Sequence, residues 1–201
     1  MNRESYDAVA QQWDEARLLL SEPEKRVLDL LLERTPTGAN VLDLGCGTGR
    51  PIAEYLVARQ CHVTGVDQSA AMLQLARSRM PEQHWVLSSL ENFEPDGEFA
   101  AIIAWDSLFH IARDEHAAIL ARVRAVMPHG GRFALTVGGS EHPAFTDTMF
   151  GHTFFYDSHS PDAAMALLVS SGFTIIHSEF LNLPTTGRDK GRFAIVAEAR
   201  E

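Results

Sequence analysis

Two carboxylates and a run of glycines are the residues of this sequence best placed to do chemistry. Val41-Leu42-Asp43-Leu44-Gly45-Cys46-Gly47-Thr48-Gly49-Arg50 sets a glycine at every second position after an apolar run. Glycine permits a tight turn and removes the Cβ atoms that would hold a ligand off the backbone, so a side chain at Gly45 would stand in a ligand's path. The apolar run reads as a buried strand and Pro51 to Arg59 as a helix. The loop then lies outside a strand's carboxyl end and at a helix N-terminus, where open sheets bind ligands and free N–H groups await polar ones. A dinucleotide fingerprint G-x-G-x-x-G/A needs a small third residue where Arg50 stands. Asp43 also sets a carboxylate ahead of the loop, ill placed for a pyrophosphate and suited to an ammonium group. Asp67 closes the next apolar run 24 residues later, about one βαβ step, which brings the two acids to neighbouring strand ends. There a carboxylate can accept both hydroxyls of a ribose. Taken alone, Asp67 reads as an ordinary strand-end acid; joined to the glycine loop, it reads as a ligand-binding one.

Those positions require elements to hold them. Glu22 to Arg34, Pro51 to Arg59, Ser69 to Met80, Asp114 to Val126 and Pro161 to Ser170 read as helices. Val41 to Leu44, His62 to Val66, Trp85 to Leu87, Phe99 to Trp105, Arg132 to Val137, Thr174 to Leu181 and Arg192 to Ala199 read as strands. The alternation predicts an α/β, doubly wound, mostly parallel seven-stranded sheet with helices on both faces. The last two strands have no helix between them and should pair as an antiparallel hairpin. A chain of 201 residues suits one domain over 1–201, with a helical cap in 1–35 and a loop over 138–160 on the side of the sheet where a second ligand would enter.

Asp43 to Gly49 resembles the first motif of class I S-adenosylmethionine-dependent methyltransferases, and Gly65-Val66-Asp67 with Ser69 resembles their second. Ala100 to Ile111, Val126-Met127-Pro128-His129-Gly130-Gly131-Arg132-Phe133 and Ser171-Gly172-Phe173 are similar to later blocks of the small-molecule branch. Tyr6-Asp7 to Trp13-Asp14 is similar to the opening helix that those enzymes fold over the cofactor. The resemblance implies S-adenosyl-L-methionine as cofactor and a small-molecule acceptor. It places Asp43, Gly45, Cys46 and Gly47 around the methionine moiety, with Cys46 a packing residue and not a nucleophile. It places Asp67 at the ribose, Gln68 next to it in the cofactor site, Ser89 and Leu90 at the adenine, and Trp105 beside the methyl group. The acceptor segment after the fourth strand, Trp105-Asp106-Ser107-Leu108, lacks the Pro-Pro-Tyr-like motif of enzymes that methylate nucleic-acid amines.

Methyl transfer asks for alignment, a dry pocket and, for a hydroxyl acceptor, a base. His110 and Asp106 are the catalytic candidates. His110 would act as base, or would only orient an acceptor that needs none. Asp106 would hold or deprotonate the acceptor, or cap the turn Ser107 to Ile111. Thr146 to His159, rich in aromatic residues, suits an acceptor-pocket wall and equally a packing cluster under a loop. No metal is expected, since Asp106 has no evident partner ligands and Cys46 and Cys61 lack metal spacing. The net charge of −10 with no Lys/Arg cluster argues against nucleic acid. No apolar run is long enough for a membrane span, and no apolar leader follows Met1. Together with only two cysteines, these features predict a reducing, cytoplasmic setting, and they leave oligomeric state open. Two other readings remain open: a nucleotide-dependent oxidoreductase and a non-catalytic cofactor-binding protein.

Overall fold

The computed structural model describes residues 2–186 and 189–201. Among these residues nine strands and six α-helices follow one another. They are α1 (Arg3–Ala16), α2 (Glu22–Leu32), β1 (Asn40–Leu44), α3 (Ile52–Ala58), β2 (His62–Asp67), α4 (Ala70–Arg79), β3 (His84–Leu87), β4 (Ala101–Ala104), α5 (His116–Ala125), β5 (Arg132–Gly138), β6 (Phe145–Met149), β7 (His152–Tyr156), α6 (Pro161–Ser170), β8 (Phe173–Asn182) and β9 (Arg192–Ala199). A 3-10 turn, Leu108–His110, follows β4.

Seven strands form one sheet in the order β3-β2-β1-β4-β5-β9-β8. β1 pairs in parallel with both β2 and β4, so the chain winds outward from β1 and then restarts on its other side. A cleft opens where two such halves diverge, at the carboxyl ends of β1 and β4. β9 runs antiparallel between β5 and β8, and β8 closes the edge, as the absence of a connecting helix predicts. Side chains alternate across the strands. Leu42, Leu44, Ile102 and Ala104 pack with α5 and α6 through Ile119, Leu120 and Leu168. Val41, Ala101 and Ile103 pack on the other face with α2, α3 and α4 through Leu28, Leu56 and Leu73. No helix among the described residues is long and apolar enough to cross a membrane.

The segment 138–160, expected as a loop, contains a two-stranded ribbon that the sequence reading did not assign. β6 and β7 pair as an antiparallel ribbon from Phe145↔Tyr156 to Met149↔His152. They turn at Phe150 and Gly151, both at positive φ (51° and 80°), the backbone of a tight hairpin turn. The ribbon is tied to α1 and to the turn after β4. Asn2 pairs with both backbone groups of Phe155, Ser5 donates to the Thr153 carbonyl, and Asp157 N–H donates to the Phe109 carbonyl at 2.8 Å. The fourth strand also stops at Ala104, which leaves Trp105 and Asp106 at its mouth.

Candidate active site

The glycine loop is built as a cradle. Gly45 and Cys46 N–H groups both donate to the Val66 carbonyl, and Gly45 lies at φ +82°. A Cβ on Gly45 would meet Ser107 Cβ at 2.3 Å, so this glycine is demanded by packing against the β4 mouth rather than by open ligand space. Gly47 differs: at φ +52°, its Cβ would point into the cleft, with only Trp13 Nε1 near, at 3.7 Å. Asp67 braces the loop, since its Oδ2 accepts from Gly47 N–H at 2.9 Å and its Oδ1 from Ser69 N–H at 2.8 Å. Burial lifts its carboxyl to about 6. Asp43 is almost wholly buried, Oδ2 has no hydrogen-bond partner, and burial together with the Asp67 charge lifts its carboxyl to about 8. An unpartnered buried carboxylate oxygen is costly unless a ligand completes it, and this one suits a cation.

Helix α1 lies across the loop. Asp7 accepts from Ser69 Oγ (2.6 Å) and Ala71 N–H, and Asp14 pairs with Arg79 at 2.8 Å. Beneath it is a narrow cavity of about 80 Å³ whose far end is walled by Asp67, Gln68, Met72, Leu90 and Glu91. Ser89 does not line it; its hydroxyl accepts from Asn92 Nδ2 instead. Cys46 is buried in the core under α3, its sulfur pressed toward Gly65, and borders a small side cavity shared with Asp43, Arg17 and Arg50. A second cavity of about 460 Å³ lies beyond, walled by Phe109, Phe145, Met149 and Tyr156. Four residues line both cavities: Tyr6, Trp13, Asp106 and His110.

At that junction the two catalytic candidates are already engaged. Asp106, at φ +52°, takes Arg192 on both oxygens (3.0 and 2.5 Å) and accepts from Thr136 Oγ1. It neither caps the following turn nor stands free as a base. Arg192 also reaches Glu24 (3.2 Å), which is buried and takes Arg17 at 2.5 Å and the Trp105 indole N–H at 3.3 Å. Trp105 is thereby fixed, buried, at the edge of both the narrow and the side cavity. His110 has partners at both ring nitrogens: Tyr6 Oη lies 2.8 Å from Nε2, and the Phe155 carbonyl 3.0 Å from Nδ1. Burial drops its pKa to about 4, so it is neutral, and burial pushes the Tyr6 hydroxyl well above its usual value. The turn carrying His110 is closed from behind by buried His116, whose Nε2 lies 2.9 Å from the Leu108 carbonyl.

Sequence reasoning overlooked Glu24, Arg17, Arg192 and Asn2, and took Tyr6 only as part of a covering helix. Ser21-x-x-Glu24 is a capping box that was open to view in the sequence. Arg192 carries no local signal at all. Among the described residues, no group of three His, Cys, Asp or Glu side chains could hold a metal ion.

Residues 41–131 match the family described as a methyltransferase domain. Trans-aconitate 2-methyltransferase of Azoarcus is 35% identical over 133 residues, 61% of this chain and 49% of that one. Malonyl-[acyl-carrier protein] O-methyltransferase of Salmonella typhimurium is 34% identical over 66% of this chain and 51% of its own length. The chain thus spans about half the length of the curated relatives it matches. In fold it is similar to magnesium protoporphyrin IX methyltransferase of Synechocystis, solved with SAH bound. That likeness has a TM-score of 0.72 at 18% identity and covers 99% of this chain and 97% of that one. In strand order, in the glycine loop at the switch point and in the acid at the end of β2, the chain is similar to the class I S-adenosylmethionine-dependent methyltransferases.

Proposed function

We propose that the protein transfers the methyl group of S-adenosylmethionine to a small molecule held in the aromatic cavity. The observation that carries this reading is the junction: Tyr6, Trp13, Asp106 and His110 face both cavities, so two ligands would meet there. The residues fit the cofactor. Asp43, with Oδ2 unpartnered, would ionise against the ammonium side of the methionine moiety, Gly47 gives that moiety backbone access with Gly45 lining the cavity beside it, and Asp67 faces the ribose. Gln68 and Leu90, with Met72, flank the adenine position, and Trp105 backs the sulfonium. When bound, the sulfonium supplies an electrophilic methyl group. The chain's own part is to align the acceptor, exclude water and handle a proton.

In this reading residues 1–35 are the cap over the cofactor and 138–160 the acceptor-side wall. Asp106 holds the junction through Arg192, and His110 works through Tyr6. The relatives' names, all of enzymes that methylate small molecules or a carrier-bound acid, support the acceptor class. A reducing cytoplasmic setting belongs to the same proposal and is supported by Cys46 and Cys61, both buried free thiols. Calorimetry with S-adenosylhomocysteine tests the cofactor half: micromolar binding is expected, and preference for NAD over S-adenosylhomocysteine would refute it. Transfer of labelled methyl from S-adenosylmethionine to low-molecular-weight acceptors tests the other half, and label found only on protein or nucleic acid would refute it.

A further inference from the structure

The hydrogen-bond pattern around His110 fixes what the junction offers an acceptor. Phe155 N–H donates to Asn2 Oδ1 at 2.8 Å, which orients that amide and turns Nδ2 to the Phe155 carbonyl at 2.9 Å. His110 Nδ1 lies 2.9 Å from the same Nδ2 and 3.0 Å from the same carbonyl oxygen. The three atoms make a near-equilateral triangle. The two N–H bonds of an amide diverge too widely to serve both other corners, so Asn2 is committed to the carbonyl. The proton therefore sits on His110 Nδ1, where it too donates to Phe155, and Nε2 carries the lone pair. Tyr6 O–H donates to that lone pair at 2.8 Å. Its single proton is spent, and what Oη turns to the cavity is an acceptor.

Resting on the methyl-transfer reading above, we propose that the small molecule carries an acidic hydroxyl, of phenol or enol class, and that Tyr6 and His110 relay its proton. At Tyr6 Oη a carboxylate would bring lone pairs to a lone pair; of the cations that line the cavity, Arg17 and Arg192 are already taken by Asp106 and Glu24, and Lys190 stands over the Phe145 ring. A neutral amine can attack before it loses a proton and leaves the relay without a purpose. In the step, the acceptor oxygen forms a bond to the methyl carbon with its own electron pair, and the carbon–sulfur pair stays on sulfur as a thioether. The hydroxyl proton passes to Tyr6 Oη while the tyrosine proton passes to His110 Nε2. The sulfonium charge disappears as an imidazolium charge appears, so the buried site keeps its total charge. His110 faces Tyr6, Asp106, Phe109, Phe154 and Tyr156, and of these only Asp106 is charged, already paired to Arg192. A histidine held to about 4 by burial is a weak base, matched to an acidic hydroxyl and not to a simple alcohol. The walls of Phe109, Phe145 and Tyr156 suit a ring-bearing partner.

The test uses the protein with S-adenosylmethionine and three series of matched shape: naphthols, naphthoates and naphthylamines. Ether formation from naphthols is expected, and in calorimetry on the S-adenosylhomocysteine complex 2-naphthol should bind more tightly than 2-naphthoate. Tyr6→Phe should lower kcat on 2-naphthol by about 10²-fold or more, with little change in S-adenosylhomocysteine affinity. It should lower kcat far less on nitro-substituted naphthols, which arrive ionised. Base-labile methyl esters of the naphthoates, preferred N-methylation, an equal Tyr6→Phe loss across all naphthols, or no naphthol methylation by protein that binds S-adenosylhomocysteine would each overturn the assignment. Failure to bind S-adenosylhomocysteine would instead overturn the cofactor reading beneath it.

Discussion

Replacing Glu24 with Gln should destabilise the protein by about 3 kcal/mol at neutral pH and change how it responds to acid. Glu24 is about 2% exposed, and its carboxylate collects Arg17, Arg192, the Trp105 indole, and the Ser21 N–H and hydroxyl. Burial opposes its charge, but Arg17 and the Ser21 N–H outweigh it and hold the carboxyl at about 2 against an ordinary 4.5. A difference of about 2.5 units at about 1.4 kcal/mol each gives the figure above. Breaking a buried ion pair from one side costs roughly 3–5 kcal/mol. The partial exposure of Arg17 and Arg192 favours the lower end. A carboxylate whose folded pKa is depressed stabilises above its unfolded pKa and loses that effect as pH falls through the folded value. The wild type should therefore surrender this contribution between pH about 4.5 and 2, and Glu24→Gln should not. Urea unfolding followed by circular dichroism at steps from pH 7 to 3 reads both effects. A gap between the two proteins below about 1 kcal/mol at pH 7, or one that does not narrow below pH 4.5, would show that Glu24 does not organise this network.

Asp67→Ala should weaken S-adenosylmethionine and S-adenosylhomocysteine alike by about 2–4 kcal/mol, and because Asp67 also holds Gly47 N–H the loop should exchange amide hydrogens faster; unchanged calorimetry would remove it from the site. Asp43, held at about 8 by burial and Asp67, should ionise against a cationic ligand, so cofactor binding at pH 7 should release up to about one proton. Calorimetry in buffers of different ionisation enthalpy measures this, and proton uptake would contradict it. Gly47→Ala should cost roughly 1–2 kcal/mol of stability for its left-handed backbone and still reduce S-adenosylhomocysteine affinity at least tenfold. Gly45→Ala should cost more stability because of Ser107, and a Gly45 variant as stable as wild type would refute that packing.

What the sequence disclosed follows from how local each signal is. β1, β2 and β4 are short apolar runs with turn residues behind them, and each was placed within two or three residues. The wound order follows from the alternation and from the handedness of crossovers. The β6–β7 ribbon escaped because its turn is Phe150-Gly151, where a phenylalanine occupies a positive-φ position that hairpin signals assign to Asn, Asp or Gly. At the site, the glycine loop and Asp67 were legible because their spacing is periodic along the chain. Ser89 was misplaced because a one-residue difference after a strand decides which side chain faces a cleft. The engagement of Asp106 by Arg192, 86 residues away, depends on β9 lying beside β5, and no local pattern encodes it.

Helix α1 is both the roof of the narrow cleft and the bearer of Tyr6. A space of about 80 Å³ is well under the roughly 300 Å³ at which small-molecule sites begin, so admitting the nucleoside of the proposed cofactor would require α1 to move outward. That swing parts Asp7 from Ser69 and Asp14 from Arg79, and it takes Tyr6 away from His110. For the methyl transfer proposed above, the expected order is then that the nucleoside enters first and leaves last while the acceptor comes and goes between. Initial-rate kinetics would carry the signature: S-adenosylhomocysteine competitive against S-adenosylmethionine, and the methylated product noncompetitive against it.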